Sequence, residues 1–434
     1  MSSFLVSPCN SLSGVIAIPG DKSISHRAIM LGSIANGVTK VSGFLEGNDS
    51  LATLKSFQQM GVDIERLGSN VTINGVGMHG LRAPGKPIDL GNSGTSMRLM
   101  AGLLSAQSFD SELCGDESLS KRPMDRIIEP LRQMGAKIEG HNSKPPLTIS
   151  GNQPLRPITY ELPVASAQIK SCLLLSGLYA EGETCIVENV TTRDHTERML
   201  RGFGYQVNCS DNCITLDGGG ELKACDIDIP SDISSAAFFM VAASIARDAD
   251  LTLKAVNINP TRTGIIEILQ LMGANITLSN ESEMAGEMIA DIQIRSADLK
   301  GIRIPNELVP LAIDEFPVLF IAASCADGET LLTGAKELRV KESDRIQVMA
   351  DGLAVLGIKT EVLDDGIRIQ GGQFTKPNTS IKSHHDHRIS MSFAVASVAC
   401  NFDIKIEGVD NVKTSFPNFV ELANRIGINI NELH

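Results

Sequence analysis

The sequence lacks the features that would place the protein at a membrane, outside the cell or on nucleic acid. Its longest uncharged apolar windows, residues 233–246 and 389–402, are fourteen residues long, whereas a membrane-spanning helix needs about 20. Acidic residues outnumber basic ones by 51 to 38, so the chain has no overall basic surface for nucleic acid or an anionic membrane. Residues 1–8 have neither the basic flank nor the apolar core of an export signal. We therefore expect a cytoplasmic protein.

The sequence also lacks patterns that would imply a metal or a nucleotide cofactor. The nine cysteines occur singly, and we expect buried thiols in a reducing compartment. Glycine-rich stretches at 75–77 and 218–220 have neither the P-loop lysine nor the Rossmann pattern, and we interpret both as hairpin turns. The segment 194–197 has no metal-ligand spacing and is interpreted as a helix cap beside Arg193. No cofactor and no metal ion is predicted.

What the sequence does contain is a sixfold repeat of a helix that ends in glycine. The glycines are spaced 74, 69, 69, 84 and 70 residues apart, and an apolar residue precedes each one. This pattern is typical of a left-handed helix cap. Because 61 residues lead to the first glycine and 7 follow the last, the two ends together make one more period. We therefore expect the N-terminal strand to join the C-terminal half. The pairs are Met60-Gly61, Met134-Gly135, Phe203-Gly204, Met272-Gly273, Leu356-Gly357 and Ile426-Gly427.

Each repeat contains two kinds of predicted helix, with strand signals between them. Helices rich in Ala, Ser, Leu and Met must be buried, and they are predicted at residues 23–35, 94–106, 164–180, 232–246, 311–326 and 386–400. Shorter, more polar helices are predicted at residues 50–60, 124–134, 196–203, 264–272, 345–356 and 419–426. A chain of 434 residues exceeds a single core, so the six units divide as three and three. The prediction is an α/β fold with helices inside and sheets outside.

Charged residues depart from the repeat at the predicted helix starts. Helix N-termini favour anions, and Arg or Lys side chains added there would bind phosphate and carboxylate. Acidic Asp314 and Glu342 lie among these cations, where a carboxyl group can carry protons, and Lys22 and His387 are further candidate proton carriers. Taken singly, each charged residue could instead be solvated or pair with a neighbour. Taken together, they predict a cleft that binds phosphorylated small molecules.

Nine motifs along the whole chain resemble those of the 5-enolpyruvylshikimate-3-phosphate synthase family, in its divergent bacterial subgroup. They are PGDKSISHR at 19–27, LGNSGTSMR at 90–98, KRP at 121–123, ASAQIK at 165–170, TRDHTE at 192–197, DEFP at 314–317, LRVKESDR at 338–345, DHR at 386–388 and TSFP at 414–417. The resemblance implies a two-domain inside-out α/β barrel, with three of the six β/α folding units in each domain. Residues 1–20 and 233–434 would form one domain and residues 21–232 an inserted one, with the active site in the cleft between them.

The resemblance also implies an activity. The family transfers the enolpyruvyl group of phosphoenolpyruvate to the 5-hydroxyl of shikimate 3-phosphate, by addition and then elimination of phosphate. Asp314 would be the base for the hydroxyl proton, Glu342 the acid for the methylene carbon, and Lys22 a further catalytic residue. Shikimate 3-phosphate is expected to contact Lys22, Ser23, Arg27, Ser166, Ala167, Gln168, Arg193, Asp314 and Lys341. Phosphoenolpyruvate is expected to contact Lys22, Gly94, Arg122, Gln168, Arg345 and Arg388.

Both substrates are small molecules, and we expect a monomer without nucleic-acid or membrane partners. Two other functions stay open: a UDP-N-acetylglucosamine enolpyruvyl transferase and a non-catalytic phosphoanion-binding module. The first would need a reactive cysteine five residues before Arg122, where Glu117 stands. The second would not need Asp314 and Glu342. Thr414 holds the place of a lysine found in many relatives, and Gly94 stands where some have alanine, which predicts space for glyphosate.

Overall fold

The computed structural model describes residues 2–9 and 11–433. In this part of the chain, thirteen α-helices lie at Lys22–Ile34 (α1), Asn48–Gln59 (α2), Gly94–Leu104 (α3), Asp125–Gln133 (α4), Ala167–Gly177 (α5), His195–Gly202 (α6), Ile233–Ile245 (α7), Gly264–Leu271 (α8), Phe316–Cys325 (α9), Arg345–Val355 (α10), His387–Ala396 (α11), Val412–Ser415 (α12) and Phe419–Ile426 (α13). The strands lie at Ser3–Ser7 (β1), Leu12–Ala17 (β2), Asn36–Ser42 (β3), Asp63–Leu67 (β4), Asn70–Val76 (β5), Ile88–Asp89 (β6), Ser111–Cys114 (β7), Lys137–His141 (β8), Lys144–Ser150 (β9), Thr159–Glu161 (β10), Glu183–Val187 (β11), Asn208–Ser210 (β12), Cys213–Asp217 (β13), Ile227–Asp228 (β14), Ala249–Asn257 (β15), Asn275–Met284 (β16), Glu287–Arg295 (β17), Glu329–Leu332 (β18), Lys359–Leu363 (β19), Gly366–Gln370 (β20), Ile381–Lys382 (β21), Ile404–Glu407 (β22) and Asn429–Leu433 (β23).

Both kinds of predicted helix are confirmed. The helices predicted to be buried correspond to α1, α3, α5, α7, α9 and α11. In α7, for example, every residue except the last one is buried. Two of the six helices begin three or more residues later than predicted. The α5 helix starts at Ala167 because the Ser166 side chain caps it, and α9 starts at Phe316 because Pro317 fits only the first turn of a helix. Asp314 therefore precedes α9 instead of lying within it.

The six predicted glycine caps are also confirmed. All six glycines have positive φ angles, between +77° and +113°. A residue with a Cβ is strained in this left-handed conformation, whereas glycine adopts it readily. Each cap therefore ends its helix and turns the chain into the next segment.

The described residues form two compact units, each with its own hydrophobic core. One, which we call the terminal unit, comprises residues 2–19 without residue 10, 230–283 and 287–433. The other, the inserted unit, comprises residues 20–229 and 284–286. In the terminal unit, α7, α9 and α11 pack against one another. In the inserted unit, α1 and α5 each pack against α3. Each unit thus has buried helices at its centre and three sheets outside them, the predicted α/β class.

Five of the six sheets share one order of four strands, and the remaining sheet has three strands. The orders are β14-β3-β5-β4, β6-β7-β9-β8 and β10-β11-β13-β12 in the inserted unit, and β2-β15-β17-β16, β18-β20-β19 and β21-β22-β1-β23 in the terminal unit. In five of them the first strand runs parallel to the second. In the last sheet β1 is the third strand, with Ser3 opposite both Glu407 of β22 and Leu433 of β23. The first strand of the chain therefore lies between two of its last strands.

Gly75 and Gly218 do not lie in hairpin turns, so that prediction is wrong. Each lies where a strand passes close over the end of a buried helix. A Cβ on Gly75 would stand 2.2 Å from the Ala35 carbonyl oxygen, and one on Gly218 would stand 1.9 Å from that of Ala180. Glycine is needed at both positions for close backbone approach, not for a turn.

The cysteines differ from the prediction as well. Cys185 of β11 and Cys213 of β13 form a disulfide, with Cα atoms 6.3 Å apart on neighbouring antiparallel strands. The other seven are free, but among them only Cys172 and Cys400 are buried, and Cys209 is exposed. The prediction of nine buried thiols is therefore wrong, because spacing in sequence does not show which strands become neighbours.

Among the described residues, no helix combines the length and apolar character needed to cross a membrane. The same residues contain no group of three or more His, Cys, Asp or Glu side chains that could hold a metal ion.

Candidate functional site

In the terminal unit, one buried arginine contacts three carboxylates. Arg345 is the first residue of α10 and is only 1% exposed. Its guanidinium lies 2.9 Å from Asp386 Oδ2, 2.6 Å from Glu342 Oε2 and 3.4 Å from Asp314 Oδ1. Burial alone would lower the pKa of Arg345, but the charges of these carboxylates outweigh it and raise the pKa above its usual range. Arg345 is therefore held as a cation in the interior.

Asp386 is the deepest of the three carboxylates. It caps α11 by accepting a hydrogen bond from the Arg388 N–H at 3.0 Å, and it accepts a second from Ser343 Oγ at 3.0 Å. Burial opposes its ionisation, but the Arg345 charge holds the pKa of Asp386 below its usual range. The Asp386 side chain thus serves both as the N-cap of α11 and as a buried counter-ion of Arg345.

Asp314 lies beside three cationic side chains. Lys341 Nζ stands 3.3 Å from its carboxylate, and Arg388 Nη1 donates to its backbone carbonyl at 2.9 Å. Arg388 also lies 4.0 Å from the buried carboxylate of Glu315. Together with Arg345 these contacts bring five predicted residues into one group, which we call the carboxylate cluster. Its members are Asp314, Lys341, Glu342, Arg345 and Arg388.

In the inserted unit, Arg27 is held by three oxygen acceptors. Its Nε donates to Thr196 Oγ1 and its Nη2 to Ser171 Oγ, both at 2.7 Å, and its Nη1 donates to the Ser23 carbonyl at 3.0 Å. The side chain is buried, because α1 is packed on all sides. Lys22, one turn earlier, forms an ion pair of 2.9 Å with Asp49 at the start of α2. Both cations thus have fixed directions near the N-terminus of α1.

Three predicted phosphoenolpyruvate contacts lie together at the start of α3. A Cβ on Gly94 would stand 2.9 Å from Arg122 Nη1 and 3.1 Å from Arg98 Nη1. Arg98 in turn donates to Gln168 Oε1 at 2.7 Å. Arg122 Nη2 donates to Asn92 Oδ1 at 2.6 Å, which fixes its planar fork. The lack of a side chain at Gly94 therefore leaves space directly beside two guanidinium groups.

The remaining predicted residues lie at other places. Ser166 caps α5, Ala167 is its first residue, and Arg193 precedes α6 by two residues. Lys413, the lysine next to Thr414, forms an ion pair of 3.0 Å with Glu432 of β23 and does not join the carboxylate cluster. Asp194 stands at the N-cap position of α6, as predicted for this segment, but its side chain makes no capping hydrogen bond and instead binds Arg198 at 2.8 Å.

Sequence reasoning missed the side chains that hold the predicted ones. Asp386 was recognised within a motif but not as the counter-ion of Arg345, and Ser171 and Thr196 were not recognised as the acceptors of Arg27. An aspartate immediately before a buried helix that carries arginine is a signal that could have identified Asp386. No local signal identifies Ser171 or Thr196.

The burial of His26 makes the free energy of unfolding depend on pH. It is fully buried, with Nδ1 2.8 Å from Thr53 Oγ1, and burial together with the charges of Lys22 and Arg27 lowers its pKa to about 3. The unfolded chain binds a proton at this residue near pH 6.5. Stability should therefore fall as the pH drops below 6.5, by about 2 kcal/mol at pH 5.

Urea unfolding at pH 7.5 and pH 5, followed by circular dichroism, measures this change in the free energy of unfolding. In a His26→Gln variant the difference between the two pH values should be smaller by about 2 kcal/mol, whatever the variant's stability at pH 7.5. An equal pH dependence in both proteins would contradict the assignment.

The fold resembles that of the enolpyruvyl transferases. The chain is similar over its whole length to the crystal structure of the enolpyruvyl transferase NikO from Streptomyces tendae, with a TM-score of 0.81, 16% identity and 99% of that chain covered. At this identity the likeness concerns the fold alone.

The family follows from the sequence match. The model of EPSP synthase (3-phosphoshikimate 1-carboxyvinyltransferase) matches residues 6–422, and the chain belongs to this family. It is 71% identical to the 3-phosphoshikimate 1-carboxyvinyltransferase of Ruthia magnifica subsp. Calyptogena magnifica, over 99% of each chain. The structure of EPSP synthase from Acinetobacter baumannii is similar with a TM-score of 0.89 and 57% identity, over 100% of both chains.

Proposed function

We propose that this protein transfers the enolpyruvyl group of phosphoenolpyruvate to the 5-hydroxyl of shikimate 3-phosphate and releases phosphate. The observation that carries the proposal is the carboxylate cluster, in which Arg345 contacts both Asp314 and Glu342. A guanidinium that binds a phosphate or carboxylate beside two carboxyl groups brings an anionic substrate to two proton carriers. Family membership identifies the substrates that such a group would take.

Each substrate has a proposed set of contacts. Shikimate 3-phosphate binds Lys22, Ser23, Arg27, Ser166, Ala167, Gln168, Arg193, Asp314 and Lys341, and phosphoenolpyruvate binds Lys22, Gly94, Arg122, Gln168, Arg345 and Arg388. Both sets include residues of the inserted unit and of the terminal unit.

The proposed reaction has two steps. In the addition, Glu342 first takes up a proton from solvent and gives it to the methylene carbon, the 5-hydroxyl oxygen bonds to the adjacent carbon, and Asp314 takes the hydroxyl proton. In the elimination, Glu342 takes a proton back from the new methyl group, the bond from carbon to phosphate oxygen breaks, and phosphate leaves with the proton from Asp314. Fixed cations stabilise the phosphate and carboxylate throughout, because they need no reorganisation.

One assay tests the proposal. Phosphate release should require shikimate 3-phosphate and phosphoenolpyruvate together, and neither alone should support it. Replacing shikimate 3-phosphate by UDP-N-acetylglucosamine should abolish release. Release with the UDP-sugar, or binding of both anions without any turnover, would contradict the proposal and favour one of the two alternatives.

Cys114 argues against the UDP-sugar alternative. That function needs a nucleophilic thiol, and Cys114 is displaced three residues from the required position. Burial, together with the charges of Asp89 and Glu112, raises the pKa of the Cys114 thiol. A thiol with a raised pKa is a poor nucleophile at neutral pH.

Gly94→Ala should produce resistance to glyphosate. The added methyl group would stand 2.9 Å from Arg122 Nη1, so it must displace a proposed contact of phosphoenolpyruvate. We expect the glyphosate concentration for half-inhibition to rise by at least about 10-fold and the KM for phosphoenolpyruvate by less, since one methyl in a filled site costs about 1–3 kcal/mol. Inhibition curves at fixed substrate concentrations measure both.

Gly202→Ala is the matched control for this variant. Gly202 lies in α6, and an added Cβ there would meet no atom within 4 Å. Its inhibition curve should equal that of the wild type. Equal glyphosate sensitivity in Gly94→Ala would show that the inhibitor does not occupy the space beside Gly94.

We also propose that the protein acts as a monomer in the cytoplasm. Seven free cysteines, one of them exposed, suit a reducing compartment, where the Cys185–Cys213 disulfide would be an exception. Sedimentation equilibrium should give the mass of one chain, 46.4 kDa, and twice that mass would contradict the proposal.

A further inference from the structure

A second buried cation in the inserted unit has no part in the proposed chemistry. Lys170 of α5 is fully buried, and its Nζ lies 2.8 Å from Glu197 Oε1 and 3.0 Å from Glu188 Oε2. It also donates to the Thr192 carbonyl at 3.3 Å. Burial alone would lower the pKa of Lys170, but the charges of Glu197 and Glu188 outweigh it and raise the pKa. Burial raises the pKa of Glu197, and the charge of Lys170 opposes that rise. Lys170 is therefore held as an ammonium ion between Glu188 and Glu197, a group we call the lysine clamp.

The lysine clamp fixes the segment that leads to Arg193. Glu188 follows β11 directly and accepts hydrogen bonds from Thr192 Oγ1 at 2.8 Å and from the Thr192 N–H at 3.3 Å. Lys170 binds both Glu188 and Thr192, so residues 188–192 are tied at both ends to α5. Arg193 is the next residue. Its backbone position is therefore set by the clamp.

The clamp also fixes α6 against α5. Lys170 and Ser171 are adjacent on α5, and they bind Glu197 and Thr196, which are adjacent on α6. Thr196 and Ser171 both accept hydrogen bonds from the Arg27 guanidinium. A shift of α6 along α5 would therefore separate the two hydroxyl groups that direct the Arg27 guanidinium.

We propose that Lys170, with Glu188 and Glu197, is a positioning residue for shikimate 3-phosphate. The clamp acts through the two arginines proposed to bind this substrate, Arg193 and Arg27, and it touches neither substrate itself. This inference rests on the proposed function. The proposed phosphoenolpyruvate contacts Gly94 and Arg122 lie at the start of α3, where Asn92 holds Arg122, so loss of the clamp should affect shikimate 3-phosphate more than phosphoenolpyruvate.

Lys170→Met tests the proposal, since it keeps the length of the side chain and removes its charge. The KM and the calorimetric Kd for shikimate 3-phosphate should rise by about 10–100-fold, because displacements on the order of 1 Å have effects of this size. The KM for phosphoenolpyruvate and the kcat should change by less than about 3-fold. Lys170→Arg should recover part of the affinity, as it restores the charge.

A matched control separates positioning from general destabilisation. Leu174→Ala removes a fully buried side chain one turn further along α5. It should lower the unfolding midpoint but leave the KM for shikimate 3-phosphate unchanged. If Lys170→Met does not fold, Glu197→Gln serves instead, and it should raise the same KM with the same selectivity.

The outcomes distinguish the two proposals. A wild-type protein that binds no shikimate 3-phosphate would overturn both. Normal binding by wild type together with unchanged binding by Lys170→Met or Glu197→Gln would overturn the positioning role alone. Equal rises in the KM values of both substrates would also overturn it, because the clamp would then act on the whole site.

Discussion

Replacing Glu342 by glutamine should lower kcat by about 10²–10⁴-fold, the usual contribution of a positioned proton carrier. The amide cannot donate the proton that the methylene carbon needs, so the addition step slows. It keeps the shape of the carboxyl group and can still accept a hydrogen bond from Arg345, whose Nη2 lies 2.6 Å from Glu342 Oε2 in the wild type. Binding of both substrates should therefore persist.

Steady-state phosphate release and calorimetric binding measure the two quantities separately. Glu361→Gln is the control, because Glu361 is an exposed carboxylate of the same unit that forms a surface ion pair with Arg368. Its kcat should equal that of the wild type. A Glu342→Gln variant with full turnover would show that another group protonates the methylene carbon.

Asp386→Asn should lower the free energy of unfolding strongly, and by more than its control variant does. It removes the fully buried carboxylate that lies 2.9 Å from Arg345 and leaves part of a buried charge uncompensated, which costs about 3–5 kcal/mol. The asparagine oxygen can still cap α11, so the loss reports the ion pair more than the cap. Since the sequence contains no tryptophan, urea unfolding is best followed by far-UV circular dichroism.

The stabilisation that Asp386 provides should depend on pH and be lost in acid. A carboxylate whose pKa is lowered by folding stabilises the protein above its unfolded pKa, near 3.9, and the stabilisation is lost as the pH falls through the lower folded pKa. The difference between wild type and Asp386→Asn should thus be present at pH 7 and shrink below about pH 4.

Asp344→Asn is the control for Asp386→Asn. Asp344 caps α10 next to Arg345, but its side chain is 36% exposed, and its ion pair is with Arg339. Its replacement should cost less than about 1 kcal/mol. Equal losses in the two variants would show that capping, and not the buried ion pair, accounts for the effect.

The helices and their glycine caps could be predicted because their signals are local. An apolar residue followed by glycine, or a serine before a buried helix, acts within one or two turns. The charged residues at the helix starts were recognised in the same way, and motifs such as LRVKESDR added their proposed roles.

The contacts between these residues could not be predicted, because they join segments far apart in the chain. Arg27 is 144 residues from Ser171 and 169 from Thr196, and Arg345 is 41 residues from Asp386. The disulfide between Cys185 and Cys213 and the close approach at Gly75 likewise depend on which strands and helices become neighbours. The sequence of a single helix or strand does not show which other segment will lie beside it.

The place of β1 between β22 and β23 has a consequence for biosynthesis. Strand β1 emerges from the ribosome long before β22 and β23, yet these two strands are its hydrogen-bonded neighbours. The inserted unit, residues 20–229 and 284–286, can complete its core while translation continues. One edge of β1 must stay unpaired until residues 429–433 emerge, so this segment of the nascent chain needs protection from aggregation for a long time.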